Sequence, residues 1–94
     1  MEDKIDLVLL SELEGVTPRR VHIEACFSDK IWKIKELYAR ITGIKVPIVF
    51  IRFSNNHREL GNFMTLREAG LFAYDSILVN FYPDLDQYFE WIRD

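Results

Sequence analysis

The chain has 94 residues, 49% of them apolar and 14% aromatic, with a formal net charge of −3 at pH 7. This length suits one domain and leaves no room for a catalytic domain with a second module. The single cysteine, Cys26, excludes an internal disulfide and fits a reducing compartment, so we expect a cytoplasmic or nuclear protein.

Charge is unevenly distributed along the chain. Residues 1–16 carry five acidic and one basic side chain, residues 17–58 three acidic and nine basic, and residues 59–94 seven acidic and two basic. The net acidity argues against nucleic acid as a partner, and no apolar run is long enough to span a membrane. We therefore expect protein partners, with the basic middle segment available to an acidic one.

Two antiparallel strands are predicted near the start of the chain. Residues 5–10 alternate and are apolar on both faces apart from Asp6, so both faces of this strand are expected to meet other groups. Gly15 and Pro18 mark a long hairpin turn over residues 11–18. Residues 20–25 then alternate between polar and apolar side chains, which predicts the second strand.

One helix of about four turns is predicted next. Ser28 or Asp29 is the expected N-cap, and Gly43 is the expected end. Apolar side chains recur between these limits at helical spacing, namely Ile31, Ile34, Tyr38 and Ile41.

The second half of the sequence predicts a strand, a short segment, a capped turn and a final strand. Residues 46–53 are extended in pattern, residues 54–58 form a polar turn, and Leu60 begins the short segment. Thr65 and Glu68 have capping-box spacing, and Gly70 can take the left-handed conformation that ends the turn. Residues 75–82 alternate again, with Ile77, Val79 and Phe81 on one side.

This passage, Thr65-Leu66 through Gly70-Leu71 to Asp75-Ser76-Ile77, resembles the approach to the last strand in the ubiquitin-like family. The element order implies an α+β fold of the ubiquitin-like β-grasp type, in which a mixed four- to five-stranded sheet wraps around one helix. Residues 1–82 would form the domain, and residues 83–94 an amphipathic, helical C-terminal tail. The predicted core consists of Ile5, Leu7, Leu9, Val21, Ile23, Ile31, Ile34, Tyr38, Ile51, Phe53, Leu60, Leu66, Leu71, Ile77 and Val79.

Departures from the ubiquitin pattern indicate a different use of the fold. The Gly-Gly tail of conjugated modifiers is replaced by residues 83–86, Pro-Asp-Leu-Asp, so conjugation through this end is not expected. Aligned with ubiquitin, the isoleucine and valine of its receptor-binding patch become Arg52 and Asn80. The resemblance implies a non-conjugated interaction module, for which elongin B, a ubiquitin-like subunit that holds other proteins in a complex, is a loose analogue. A link to the ubiquitin pathway is expected on the same grounds.

A protein-binding surface is predicted on the sheet face away from the helix and on the tail. The residues that it would use are Val8, Leu10, Phe50, Arg52, Leu78, Asn80, Tyr82, Tyr88, Phe89 and Ile92. In one interpretation the tail folds back over this face as additional core, and in the other the face, the tail or both bind a partner.

An alternative site is a basic edge around the second strand and the start of the helix. It would comprise Arg19, Arg20, His22, Lys30 and Lys33. Ras-binding β-grasp domains present basic residues in this region to a small GTPase. Charges that protect an edge strand from aggregation explain the same residues without a partner.

No catalytic, cofactor or metal site is predicted. His22, His57 and Cys26 are separated in the predicted fold, so neither a metal site nor a cysteine–histidine nucleophile is expected. The sequence also lacks a glycine-rich phosphate loop. We therefore expect a protein that is not an enzyme.

Overall fold

A computed structural model describes residues 4–11 and 18–81. The strands are β1 (Lys4–Ser11), β2 (Arg20–Cys26), β3 (Ile51–Asn55), β4 (Arg58–Glu59) and β5 (Ser76–Phe81). One α-helix, α1 (Ile31–Thr42), follows β2, and a 3₁₀ helix, Ile48–Phe50, precedes β3. The predicted order of elements is confirmed within these ranges.

The five strands form one mixed sheet in the order β2-β1-β5-β3-β4. β1 and β5 run parallel at its centre, with Val8 opposite Ser76, and the other pairs of neighbouring strands are antiparallel. Parallel neighbours need a long crossover between them, and α1 lies within that connection. The first and last strands of the described chain are therefore side by side.

The core lies between α1 and one face of the sheet. All fifteen residues predicted to form it are buried, and Ala25, Val46 and Ala69 join them. Alternation along the strands is strict, since Ile5, Leu7 and Leu9 in β1 are each at most 1% exposed while the residues between them are partly exposed. The period-two pattern read from the sequence therefore predicted the buried face correctly.

The helix begins later than predicted. Its N-cap is Lys30, which makes no side-chain cap bond, and the Asp29 carboxylate accepts hydrogen bonds from the Cys26 N–H and the Lys33 ammonium instead. The first N–H groups of α1, on Ile31 and Trp32, cannot bond within the helix. They donate instead to the Met64 and Asn62 carbonyls at 2.9 and 3.1 Å. A loop distant in sequence thus caps the helix, so the prediction of Ser28 or Asp29 was wrong.

The third strand is shorter than predicted. Residues 48–50 form a 3₁₀ helix after Pro47, and the strand begins only at Ile51. The short strand β4 also comes earlier than Leu60. It follows directly from a turn in which Asn56 and His57 have φ of 51° and 64°, as a two-residue type I′ hairpin requires.

The turn before β5 has both features that the sequence predicted. The Thr65 N–H donates to Glu68 Oε1 and the Glu68 N–H donates to Thr65 Oγ1, each at 3.1 Å, which is a capping box. Gly70 has a φ of 72°. The Gly70 and Leu71 N–H groups donate to the Arg67 and Leu66 carbonyls at 3.0 and 3.2 Å, the two bonds of a Schellman motif.

This capping box should be visible in the titration of Glu68. Hydrogen bonds from the Thr65 N–H and hydroxyl lower the pKa of the Glu68 carboxyl, which is exposed, and the charge of Lys30 adds to the effect. Because the folded-state pKa lies below the unfolded value, the ionised carboxylate stabilises the fold above the unfolded pKa, and this contribution is lost as pH falls through the folded pKa. We expect NMR titration to give Glu68 a pKa below that of an unfolded chain.

Substitution of Thr65 separates the two hydrogen bonds to the Glu68 carboxylate, because alanine lacks the hydroxyl but keeps the backbone N–H. In Thr65→Ala the pKa of Glu68 should rise partway toward the unfolded value, and in Thr65→Ser it should stay low. An unchanged Glu68 pKa in Thr65→Ala would contradict this assignment.

Candidate functional site

The candidate surface is the sheet face opposite α1, here called the outer face. Because residues that are directly opposite in neighbouring strands point to the same side, the register identifies its members. They are Asp6, Val8 and Leu10 of β1, Arg20, His22 and Glu24 of β2, Arg52 and Ser54 of β3, and Ser76, Leu78 and Asn80 of β5.

The centre of the outer face is aliphatic. Leu10 of β1 lies opposite Leu78 of β5, and Val8 is two residues away on the same strand. All three side chains are partly exposed, in contrast to the fully buried residues that alternate with them. Aliphatic side chains held at this level of exposure on a rigid sheet can bind the apolar part of another protein.

Polar groups border the aliphatic centre toward β3. Arg52 lies opposite Asn80, and its Nε is 2.8 Å from Glu59 Oε1, with the two side chains 48% and 43% exposed. The Asn80 Oδ1 accepts a hydrogen bond from the Phe81 N–H at 2.8 Å. A partner that binds here therefore meets a guanidinium that is already oriented by a carboxylate.

Two parts of the predicted surface are placed differently or remain untested. Phe50 is the last residue of the 3₁₀ helix and is 37% exposed, so it is not a residue of the sheet as predicted. Tyr82, Tyr88, Phe89 and Ile92 lie outside the described residues, as does the predicted helical tail.

The residues of the alternative basic edge are divided between two places. β2 is an edge strand, as predicted, and Arg19 and Arg20 lie at its beginning. Lys30 and Lys33 follow its other end, roughly 20 Å away at about 3.3 Å per residue of strand. Lys33 is also 3.2 Å from the Asp29 carboxylate. The five basic residues therefore do not form one compact patch.

Lys35 is a polar core residue that the sequence reasoning missed. It is 2% exposed, its Nζ is 2.6 Å from Asn62 Oδ1, and it lies 5.6 Å from the centroid of the Phe53 ring. Burial lowers the pKa of this ammonium, and the charge of Glu59 opposes the shift in part. The signal was its spacing, since Lys35 follows Ile31 by four residues on the buried side of α1.

Three further features of the described residues concern metal ligands, a groove and membrane-spanning helices. Among them no group of three or more histidine, cysteine, aspartate or glutamate side chains could hold a metal ion. An open groove of about 450 Å³ runs between the β3–β4 turn and the start of β5, where it is lined by His57, Tyr74 and Asp75 with neighbouring polar residues. No helix in the described ranges is long and apolar enough to cross a membrane.

Comparison with known proteins identifies the fold. No protein-family model matches the chain, and no curated protein matches it in sequence. Ubiquitin from Caldiarchaeum subterraneum superposes with a TM-score of 0.73 at 14% identity, over 85% of this chain and 95% of that one. The chain has a ubiquitin-like β-grasp fold. The ubiquitin-like domain of an Arabidopsis thaliana protein gives a TM-score of 0.70 at 16% identity, over 83% and 77% of the two chains.

The ubiquitin-like fold places the residues discussed above but does not assign them an activity. At 14% and 16% identity, similarity to solved structures concerns the backbone only. The same fold serves different functions in different proteins, and each function depends on the side chains at a particular site. In this chain the outer face of the sheet is not purely aliphatic, because it also carries Arg52, which is paired with Glu59.

Proposed function

We propose that this protein is a non-catalytic ubiquitin-like interaction module, an adaptor or complex subunit that binds other proteins through the outer face of its sheet. The observation that supports this most directly is the partly exposed aliphatic centre of Val8, Leu10 and Leu78, bordered by the Arg52–Glu59 ion pair. An apolar centre with a polar rim is the usual anatomy of a protein-binding surface.

The ion pair favours a partner different from the receptors of ubiquitin. A receptor built for an aliphatic patch would have to desolvate the Arg52 guanidinium and the Asn80 amide, which costs about 1–3 kcal/mol for each group left unpaired. A partner that places a carboxylate or carbonyl near Arg52 would avoid this cost. We propose such a partner within the ubiquitin–proteasome system, in the cytoplasm or the nucleus.

The module is proposed to act without being conjugated to other proteins through the residues that directly follow β5. No glycine follows Gly70, so the residues after β5 contain no Gly-Gly pair that an activating enzyme could use. We expect the protein, tagged at its N-terminus and purified from cells under denaturing conditions, to run as one species. A heavier species in which mass spectrometry finds a carboxyl group of this chain joined to a lysine of another protein would contradict this part of the proposal.

The test of the outer face is quantitative capture of partners from cells. Leu78→Asp should reduce the captured proteins at least about tenfold, since a central contact carries most of the binding free energy. Arg52→Glu should reduce capture of the same proteins, because it places a negative charge where the partner is proposed to present a carboxylate or carbonyl. Arg40→Glu is the matched control because it makes the same charge change on an exposed position of α1. Equal capture by all three variants would show that the partners bind elsewhere.

A small-GTPase-binding domain is the second candidate, and the edge position of β2 favours it. Such a domain would add β2 to the sheet of the GTPase and pair Arg20 with its acidic switch region. In that case binding to a GTP-loaded GTPase should weaken sharply with salt and with Arg20→Glu. Glu24 on the same exposed row works against this candidate, since it would meet the same acidic region.

A further inference from the structure

The outward edge of β2 has backbone groups that pair with no other strand among residues 4–11 and 18–81. The Ser11 N–H donates to the Arg19 carbonyl at 2.9 Å, so Arg19 directs its backbone groups toward β1. In an antiparallel pair the direction alternates from one residue to the next. Arg20, His22 and Glu24 therefore direct their N–H and C=O groups away from β1, and all three residues are exposed.

Both ends of this edge are closed to further pairing. At one end the Cys26 N–H donates to Asp29 Oδ2 and the Cys26 carbonyl accepts from the Asp29 N–H, both at 2.9 Å. At the other end Pro18 has no N–H to donate. Positions 18 and 26 are equally distant from His22. The open edge thus consists of three residues, Arg20, His22 and Glu24, each with one N–H and one C=O group directed outward, and His22 is at its centre.

The side chains on this edge are complementary to themselves. Arg20 and Glu24 are two residues on either side of His22 and lie on the outer face. If β2 pairs antiparallel with a second β2 about His22, each Arg20 lies opposite the Glu24 of the other copy. Arg20 has no ion-pair partner among the described residues, and Glu24 has an exposed contact of 3.2 Å with Lys4.

We propose that β2 is a homodimerisation edge, which binds a second copy of this chain antiparallel and joins the two sheets into one. The pairing forms two backbone hydrogen bonds at each of three positions and two Arg20–Glu24 ion pairs related by the two-fold axis. This proposal uses the edge of the sheet and is independent of the partner proposed for the centre of the outer face.

The charges of Arg20 and Glu24 would not prevent two copies of β2 from pairing. A strand protected by charge should carry like charges that repel when two copies meet. Here the antiparallel register that joins all three open positions also brings opposite charges together. Registers shifted by two residues along either strand lose one backbone pair and place Arg20 or Glu24 against His22.

Charge reversal tests the register directly. We expect sedimentation equilibrium between about 10 μM and 1 mM to show a monomer–dimer equilibrium for the full chain. Arg20→Glu or Glu24→Arg alone should raise its Kd about tenfold or more, because each puts like charges opposite at two symmetric positions. The double variant Arg20→Glu/Glu24→Arg should restore dimerisation, since it exchanges the charges and keeps the pairs. A monomeric wild-type chain, or a double variant as weak as the single ones, overturns the proposal.

Cysteine cross-linking supplies a second measurement that does not depend on charge. In a Cys26→Ser background, His22→Cys should form an intermolecular disulfide rapidly, because α-carbons in such a hydrogen-bonded pair are about 5.5 Å apart. Glu24→Cys is the matched control, since its two copies would be roughly 14 Å apart along the strand. Faster cross-linking at position 22 supports the register, and equal rates at the two positions overturn it.

Discussion

Replacing Phe53 with alanine is expected to lower the free energy of unfolding by about 3–5 kcal/mol, the range typical of a large aromatic removed from a core. The side chain is 0% exposed on the buried face of the sheet. Its ring meets the Tyr38 ring edge-on with centroids 6.1 Å apart, and the Lys35 ammonium lies 5.6 Å from its centroid. The substitution would therefore create a cavity and leave a buried cation without its aromatic neighbour.

Urea denaturation monitored by circular dichroism measures this effect. Phe72→Ala is the matched control because it removes the same atoms from a side chain that is 72% exposed, and it should change stability by no more than about 0.5 kcal/mol. If Phe53→Ala is unfolded without denaturant, Phe53→Leu gives a smaller loss in the same direction. Equal stabilities of the Phe53→Ala and Phe72→Ala chains would contradict the observed packing.

Replacing Tyr38 with phenylalanine is expected to have the opposite sign and to stabilise the fold by about 1–3 kcal/mol. Tyr38 is 0% exposed, and its buried hydroxyl has no hydrogen-bond partner in the described part of the chain. Burial of an unpaired hydroxyl loses its hydrogen bonds to water without replacing them. Phenylalanine keeps the ring contact with Phe53 and removes this cost.

The control for Tyr38→Phe is the same change at an exposed position. Tyr74 is 70% exposed, so Tyr74→Phe should leave the urea midpoint nearly unchanged. A loss of stability of 1 kcal/mol or more in Tyr38→Phe would show that the hydroxyl has a partner in solution.

Local patterns were sufficient wherever the stabilising contacts are local. Alternation in β1 and β5 predicted which side chains are buried, because neighbouring residues of a strand point to opposite faces. Gly43 ends α1 with a φ of 74°, and Gly70 ends the Schellman motif with a φ of 72°. At both positions the left-handed conformation favours a glycine, which makes the signal readable from sequence.

The sequence was a poor guide where contacts are distant. The N–H groups at the start of α1 are capped by the backbone carbonyls of Asn62 and Met64. Every residue type has a backbone carbonyl, so the sequence does not reveal such a cap. The apolar run at residues 48–50 fitted a strand equally well, since short apolar runs do not distinguish extended from helical structure. Burial of Lys35 depends on Asn62, another partner distant in sequence.

The candidate site was predictable in its apolar part and less so in its charges. Val8, Leu10 and Leu78 follow from alternation alone. The ion pair between Arg52 and Glu59 depends on how β4 lies beside β3, and the division of the basic residues depends on the length of β2. The periodicity of a sequence thus predicts which side chains share a face of the sheet. Ion pairs and charged patches depend on how the strands are aligned in three dimensions, which the periodicity does not give.

The parallel pairing of β1 with β5 has a consequence for how this protein is made. A ribosome releases β1 first and β5 last among the described strands, yet these two are neighbours at the centre of the sheet. Until β5 emerges, β1 lacks one of its two neighbours and β3 has no neighbour toward β1. Contacts of such high sequence separation also slow folding. The β1–β2 hairpin can form early, but the sheet around it stays incomplete, and open to chaperones and proteases, until β5 has left the ribosome.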